Sequence, residues 1–338
     1  MYPLKAAGSA RKEQQGFSLI ELMITLAILL TVSAIVLSMT YDMTMRQASV
    51  ANRSDMHSSV RSVTEMLQQE ISQAGRIDWP PTVALCGGAG GCRYPFTTLA
   101  VAVDTPNLCP AGGDPVAAAL TVNDPEVLFD GIRLLVDIGD CQEVVAFDQA
   151  TGNATFKFDH ALGAEVRPTG AFGEGILPTS TGTVLQMFGD INDDGNMVYV
   201  EYLCNPDAAG GTVTRVEVPW NFVGVLPEPQ ILLRNVLPNP PLPDATPVPC
   251  FTYQQTDPLS ITVDGIVYGP FSYYLNVGVT LTAKAEFNDM QTGAEQVETK
   301  ALLNVSPRNV FQAWELSTMN GTKRSVQPTP PAITALSQ

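Results

Sequence analysis

Glu21 is the residue whose surroundings most need a chemical explanation, because it is the only charge in the apolar stretch 17–39. An ionised carboxylate in hydrocarbon costs about 2.5 kcal/mol or more, so a chain keeps one there for a partner of opposite charge. A second set of residues, Asp190, Asn192, Asp194, Gly195 and Glu201, fits the spacing D-x-[DN]-x-[DN]-G-x5-E at every defined position. In that spacing three side-chain oxygens converge on one cation, the glycine permits the sharp turn, the carbonyl of Asn196 adds a ligand and Glu201 closes the site. All the ligands are hard oxygens, so the expected cofactor is Ca2+. Residues 183–188 and 197–202 on either side alternate like strands, so the expectation is a calcium loop joining two strands, in which Glu201 can turn away and Asp193 stand in. The same Asp, Asn and Gly residues also build an ordinary turn without metal.

Six cysteines, Cys86, Cys92, Cys109, Cys141, Cys204 and Cys250, form an even set in the part of the chain beyond the apolar stretch. Outside the cytoplasm such a set reads as disulfides, with 15 possible pairings. Cys86 and Cys92 flank Gly-Gly-Ala-Gly-Gly, so the pairing expected first is that small local loop. No Cys-x-x-Cys spacing occurs and only His57 and His160 are present, which argues against a Cys/His zinc site. No Ser-His-Asp elbow, zincin helix or phosphate loop is found, so the expectation is no enzyme. His57 reads as a packing or surface residue of a helix, and His160 stands alone after Phe158 and Asp159.

These residues must be positioned by two kinds of element. From Phe17 onward there is no glycine until Gly75 and no proline until Pro80. Beyond the apolar stretch, Met56, Val60, Val63, Leu67, Ile71 and Ala74 recur in steps of three and four, the stripe of a helix with one buried face. Arg53, Asp55, Arg61, Glu65, Gln68, Gln69 and Glu70 fall mostly on its other faces. The pattern predicts one helix from Phe17 to about Ala74, with Gly75 as its cap. Its first half, 17–39, is apolar all round and long enough to cross a bilayer of roughly 30 Å. The second half needs a globular partner.

The remainder changes character. Residues 80–125 hold Gly, Pro, Ala and three cysteines, an irregular region pinned by cross-links. Strands are expected at 127–136, 143–147, 155–158, 183–188, 197–203 and 212–218, where β-branched and aromatic residues recur between turns. The proline-rich stretch 227–249 breaks the pattern, and Cys250, Phe251, Thr252 and Tyr253 restart it. The clearest strand is 274–287, in which Leu275, Val277, Val279 and Leu281 alternate with polar or small residues; a turn at 288–293 returns the chain as 297–305. No second helical period is discernible, and the Thr-, Pro-, Ser- and Ala-rich segment 320–338 reads as a disordered tail. The fold class expected is α+β: a long N-terminal helix packed on a mostly antiparallel β-sheet domain. The segments are 1–16, a helix over 17–76, a disulfide-containing β-rich domain over 77–319, and the tail.

The run Gly16-Phe17-Ser18-Leu19-Ile20-Glu21-Leu22, continued as MITLAILL, resembles the cleavage and methylation motif of type IV pilins and of the pseudopilins of type II secretion. The resemblance implies that residues 1–16 are a leader, that a prepilin peptidase cuts after Gly16, and that the new amino terminus, Phe17, is N-methylated. Glu21 is then fifth in the mature chain, the family's invariant glutamate, and in a packed filament it neutralises the amine of a neighbouring subunit. The stretch Leu67-Gln68-Gln69-Glu70-Ile71-Ser72-Gln73-Ala74-Gly75 is similar to the end of the helix in PilW-type minor pilins. So are the proline-rich loop leading to Phe251-Thr252-Tyr253, with cysteine in place of the small residue before Phe251, and the Arg308-Asn309 ending. Unlike many major pilins, this chain has no proline or glycine within the apolar segment, which argues against local melting there. An ordinary secretory signal or a plain anchor explains the apolar stretch equally well, but neither explains Glu21.

Charge narrows the partners. The formal net charge is −16, and since residues 1–16 carry three basic and one acidic side chain, residues 17–338 carry −18. Such a surface disfavours nucleic acid and anionic lipid. The basic leader orients the amino end toward the cytoplasm. The expected localisation is the inner membrane, as a single-pass chain, and then the periplasm or an extracellular pilus. The expected partners are the prepilin peptidase, other minor and major pilins, and the pilus assembly platform. The expected function is that of a minor pilin in a tip or initiation complex. The alternatives are a J-type pseudopilin and a pilus-displayed adhesin whose binding head includes the cysteine-rich region 86–109.

Overall fold

The computed structural model describes residues 18–77, 85–86, 92–93, 97–125, 128–263, 266–290, 292–318 and 326–337. Helix α1, Leu19–Gln73, runs unbroken for 55 residues, roughly 83 Å at 1.5 Å per residue. In its apolar half the hydroxyls of Thr25, Thr31, Ser38, Thr40 and Thr44 donate to carbonyls three or four residues earlier. Those polar groups are thereby satisfied inside the helix and ask nothing of a surrounding lipid. The helix stops at Gly75, whose φ of 79° is left-handed, as the capping expectation requires. A Cβ there would meet Val310 Cγ2 at 2.8 Å and the Phe172 carbonyl at 3.0 Å, so glycine is needed for space as well as for φ.

The head is built on two sheets. A seven-stranded antiparallel sheet runs in the order Val184–Gly189, Val198–Asn205, Gly211–Pro219, Gln230–Leu237, Tyr274–Lys284, Phe251–Gln255, with Val297–Val305 paired to Tyr274–Lys284. Tyr274–Lys284 is its pivot: it meets Gln230–Leu237 at Thr282 and Ala283, and Phe251–Gln255 over residues 274–279. A six-stranded antiparallel sheet runs in the order Thr97–Thr98, Glu165–Pro168, Arg133–Val136, Glu143–Asp148, Asn153–Phe156, Val116–Ala119.

The period of two in the long strands explains how these layers stack. Val198, Val200, Tyr202 and Val213 belong to a core shared with Val60, Val63, Leu67, Ile71 and Ala74 of α1. Tyr199, Val216 and Val218 belong to a second core with Leu134, Val145, Phe156 and Val166 of the six-stranded sheet. One face of the seven-stranded sheet therefore covers the upper half of α1, and part of its other face covers the smaller sheet. Each expected stripe residue of α1 from Met56 to Ala74 is buried.

Three expectations are corrected here. A second amphipathic helix exists, α2 (Arg308–Thr318), with Val310 and Ala313 buried; at 11 residues it offers too few repeats for its period to be read. The proline-rich stretch contains a strand, Gln230–Leu237, although residues 238–249 beyond it do form the expected connection. The tail is ordered over 326–337: Val326–Gln327 pairs in parallel with Ala171–Phe172, and Ile333 in α3 (Pro331–Leu336) is fully buried. The rest of 320–338 lies outside the described residues. Val326 and Ile333 find apolar surfaces prepared by distant segments, which local composition cannot reveal.

Candidate functional site: the stem and its seat in the head

Every residue from Leu19 to Thr44 is exposed, including Leu22, Ile28, Val36 and Met43. The helix is long and apolar enough to cross a membrane. Gly16 and Phe17 lie outside the described residues. Glu21 is in the first turn, where its Oε2 accepts the Ser18 backbone N–H at 3.1 Å. In the single chain the carboxylate thus uses one of the helix's orphan donors as its partner, and it remains solvent-facing and open to a second.

The upper half of α1 is seated by a group that the sequence stripe placed on the wrong side. Glu70, three residues after Leu67 and four before Ala74, is buried. Its Oε2 accepts the Tyr202 hydroxyl at 2.7 Å and Arg215 Nε at 3.3 Å, while Oε1 lies 2.9 Å from Arg215 Nη2. Arg215 Nη2 also reaches Glu217 Oε2 at 2.6 Å, and the guanidinium lies 6.0 Å from the Tyr202 ring centre. Burial pushes the Glu70 carboxyl above its ordinary value, against the pull of Arg215 and Tyr202. Burial also works against the Arg215 charge, but Glu70 and Glu217 outweigh it and hold the guanidinium above its usual range. The signal for this site was available: a spacing of three and four from buried neighbours puts Glu70 on the apolar face.

At the end of α1 the main chain is stitched to the seven-stranded sheet at Phe188 and to the short ladder of Ala171–Phe172 and Val326–Gln327. Gly75 N–H donates to Phe188, Phe172 N–H donates to Gly75, and Asp190 N–H donates to Arg76, all at 2.9 Å. Loop 190–196 therefore lies against the stem's end. It joins two strands, as expected of the candidate calcium loop, and its polar side chains bond within the loop and to its neighbours. Asp190 is buried and caps the N–H groups of Asp194 at 3.0 Å and Gly195 at 3.3 Å. Asn192 Nδ2 donates to Glu217, and Asp194 Oδ1 accepts the N–H of Asn196. Glu201 lies on the following strand, where it accepts from Gln186 at 2.9 Å and from the Tyr199 hydroxyl at 2.8 Å. Asp193, at φ 58°, pairs with Arg76, whose Nε lies 3.7 Å from Asp190 Oδ2. The Arg76 guanidinium reaches this loop from 117 residues away. Among the described residues, no three His, Cys, Asp or Glu side chains are grouped to hold a metal.

The cysteines separate by layer. Cys109–Cys141 ties the 97–114 region to the six-stranded sheet, and Cys204–Cys250 ties two segments of the larger sheet, with Cα atoms 5.6 and 6.4 Å apart. Cys86 and Cys92 stand opposite each other in a two-stranded ribbon, the placement expected of a local loop. His160 is not solitary: its fully buried ring lies between Asp137, 3.1 Å from Nδ1, and Glu143, 2.9 Å from Nε2. Burial lowers its proton affinity, but the two carboxylates outweigh that and raise it above the ordinary histidine value. His57 contacts Glu298, joining stem to hairpin.

Residues 11–37 match the family model described as the prokaryotic N-terminal methylation motif. The match supports a prepilin-type chain of the pilin and pseudopilin class, a structural rather than enzymatic class. The exposed apolar half of α1 fits membrane anchoring, and the motif implies processing by a prepilin peptidase and assembly with other pilins. No curated protein and no solved structure matches this chain.

Proposed function

We propose that the chain is a PilW-like minor pilin of a type IV pilus, cut after Gly16, methylated on Phe17 and built into the filament through α1 as part of a tip or initiation complex. The observation that carries this reading is the division of one unbroken helix behind a methylation motif. Its lower half is exposed and apolar on every side, and its upper half is locked into a β-sheet head. A helix of the first kind is stable only in lipid or among other such helices. The stretch from Leu67 to Gly75, which resembles minor pilins, also holds the seat: Leu67, Glu70, Ile71 and Ala74 are all buried against the sheet. The proposed partners are the peptidase, neighbouring pilins and the assembly platform, with the inner membrane holding the chain before assembly.

Glu21→Ala tests the assembly role. The variant is expected to be exported and cut, with mass spectrometry placing the mature amino terminus at Phe17, yet to be missing from sheared filaments and from complexes purified with other minor pilins. Normal incorporation of the variant would remove the role given to Glu21. Loss of protein secretion with intact pili in a strain lacking the gene would assign the chain instead to the J-type pseudopilins.

A further inference from the structure

The strand Val297–Val305 ends the seven-stranded sheet: among the described residues it pairs with Tyr274–Lys284 on one side and with no strand on the other. Its register settles which backbone groups face outward. The Ala285 N–H donates to the Gln296 carbonyl at 2.8 Å, and in an antiparallel ladder bonded pairs alternate with unbonded ones. Glu298 opposite Ala283, Lys300 opposite Leu281 and Leu302 opposite Val279 therefore bond inward. The N–H and C=O groups of Val297, Thr299 and Ala301 point away from the sheet, and all three side chains are exposed and uncharged. Charges, proline or a bulge usually blunt such an edge. Here Glu298 is drawn to His57 of the stem, Lys300 lies within electrostatic reach of Glu65 of the stem, and the register shift comes only beyond Leu302, beside Asn304 at φ 64°. The open row is a template for another strand.

The occupant follows from where this edge lies. Gln296 Nε2 donates to Ser49 Oγ at 2.9 Å and Glu298 contacts His57, so the strand rises along α1 in the same direction. The side of α1 that borders it carries Val50, Ser54, His57 and Arg61, in steps of four, three and four, and Val50, Ser54 and Arg61 are exposed. α1 is the element through which the motif implies assembly with other pilins, and stems rooted in one bilayer stand parallel to it. The open edge thus continues the flank on which a neighbour comes to rest. A second copy cannot fill it with the same strand. Two such edges pair antiparallel about a twofold axis normal to the sheet, and that rotation points the two stems in opposite directions. Nor is the far edge of this sheet free: Phe188 N–H donates to Gly175, Leu177 N–H to Gln186 and Thr181 N–H to Val184. We propose that Val297–Ala301 is the docking edge for a strand of a different pilin-class subunit, which extends this sheet beside α1. Backbone bonds supply the contact, and Val297, Thr299 and Ala301 ask for short, uncharged side chains opposite them.

The proposal rests on the pilin reading of α1, and the test separates the two. Ala301→Pro removes an outward N–H and puts a ring in the path of the incoming strand, while the ladder to Tyr274–Lys284 is kept. In cells the variant is expected to be exported, cut before Phe17 and as protease-resistant as the native chain. Its recovery in complexes purified through a tagged second minor pilin should nevertheless fall about tenfold or more. Val297→Pro gives the same reading should Ala301→Pro not fold. A photo-activatable side chain at position 301 is expected to form a covalent product with another pilin-class subunit, identified by mass spectrometry. Undiminished recovery of both proline variants, with Glu21→Ala excluded, would overturn the docking edge and leave the pilin reading standing. A product only with a second copy of this chain would overturn the choice of partner. Recovery of Glu21→Ala at the native level would remove the pilin reading and the proposal with it.

Discussion

At the scale of single residues, a buried carboxylate helps to seat the stem in the head. Glu70 is the only acidic residue of α1 inside the head core, and it meets an arginine that already leans on Glu217. Breaking a buried pair from one side typically costs about 3–5 kcal/mol, because the partner is left charged and dry. Glu217 keeps part of the Arg215 interaction, so Glu70→Ala is expected near the lower end, about 3 kcal/mol, by chemical denaturation. Glu70→Gln, which can still accept from Tyr202 and Arg215, should cost less than half as much. Equal losses would mean that packing, and not the charge, holds the stem. His160 gives a pH signature of the opposite chemical kind. Its proton is held more tightly in the folded protein than in the unfolded chain, so its contribution is complete below about pH 6.5 and disappears as pH rises through the folded value above it. The melting temperature of the native chain should therefore fall from pH 6.5 toward pH 8.5 more steeply than that of His160→Gln. The difference between the two curves isolates the histidine from every other titrating group.

At the scale of elements, what was legible in the sequence is what repeats locally. The long helix could be read because its stripe recurs over many turns without Gly or Pro, and the hairpin strand Tyr274–Lys284 because alternation over 11 residues leaves one interpretation. The strand Val198–Asn205, buried on both faces over Val198–Val200, was found by its β-branched and aromatic content, although its two faces serve different cores. What escaped depends on distant partners. Gln230–Leu237 sits among prolines and is a strand because Gly211–Pro219 supplies its ladder. The candidate calcium loop 190–196 also meets a partner that lies outside its own motif. The sequence gives no sign that Arg76, at the stem's end, would arrive beside Asp190 and Asp193. The loop's acidity is thus part of how the head grips the stem. The one long-range contact that spacing did announce, Glu70, was masked by the habit of assigning charge to the solvent side.

At the scale of the whole molecule, the stem passes into one sheet while the second sheet lies on the far side of it, so something must keep the two layers from parting when the stem is pulled. The C-terminal segment does this. Val326 lies in a small core with Phe271, Tyr273 and Val310, on the side of the larger sheet and α2, while Ile333 lies in the core of the smaller sheet. Between them Gln327, fully buried, accepts the Arg133 N–H at 2.9 Å through Oε1 and donates through Nε2 to the carbonyls of Arg133 at 2.8 Å and Thr169 at 2.6 Å. Its amide thus pairs with the backbone of two strands or strand ends that the sheet ladder does not fully use. Truncation to alanine strands one buried N–H and weakens two buried carbonyls, each worth about 1–3 kcal/mol, so Gln327→Ala is expected to cost about 2–5 kcal/mol of unfolding free energy. Thr334→Ala, on the exposed side of α3, serves as the control and should stay within about 0.5 kcal/mol. A clasp of this kind also predicts that the Gln327 variant loses hydrogen-exchange protection first at 133–136 and 165–172, before the strands packed on α1. If protection is lost evenly across both sheets, or if the two variants are equally stable, the C-terminal segment is a passenger on the head and the layers are held together by their shared core alone.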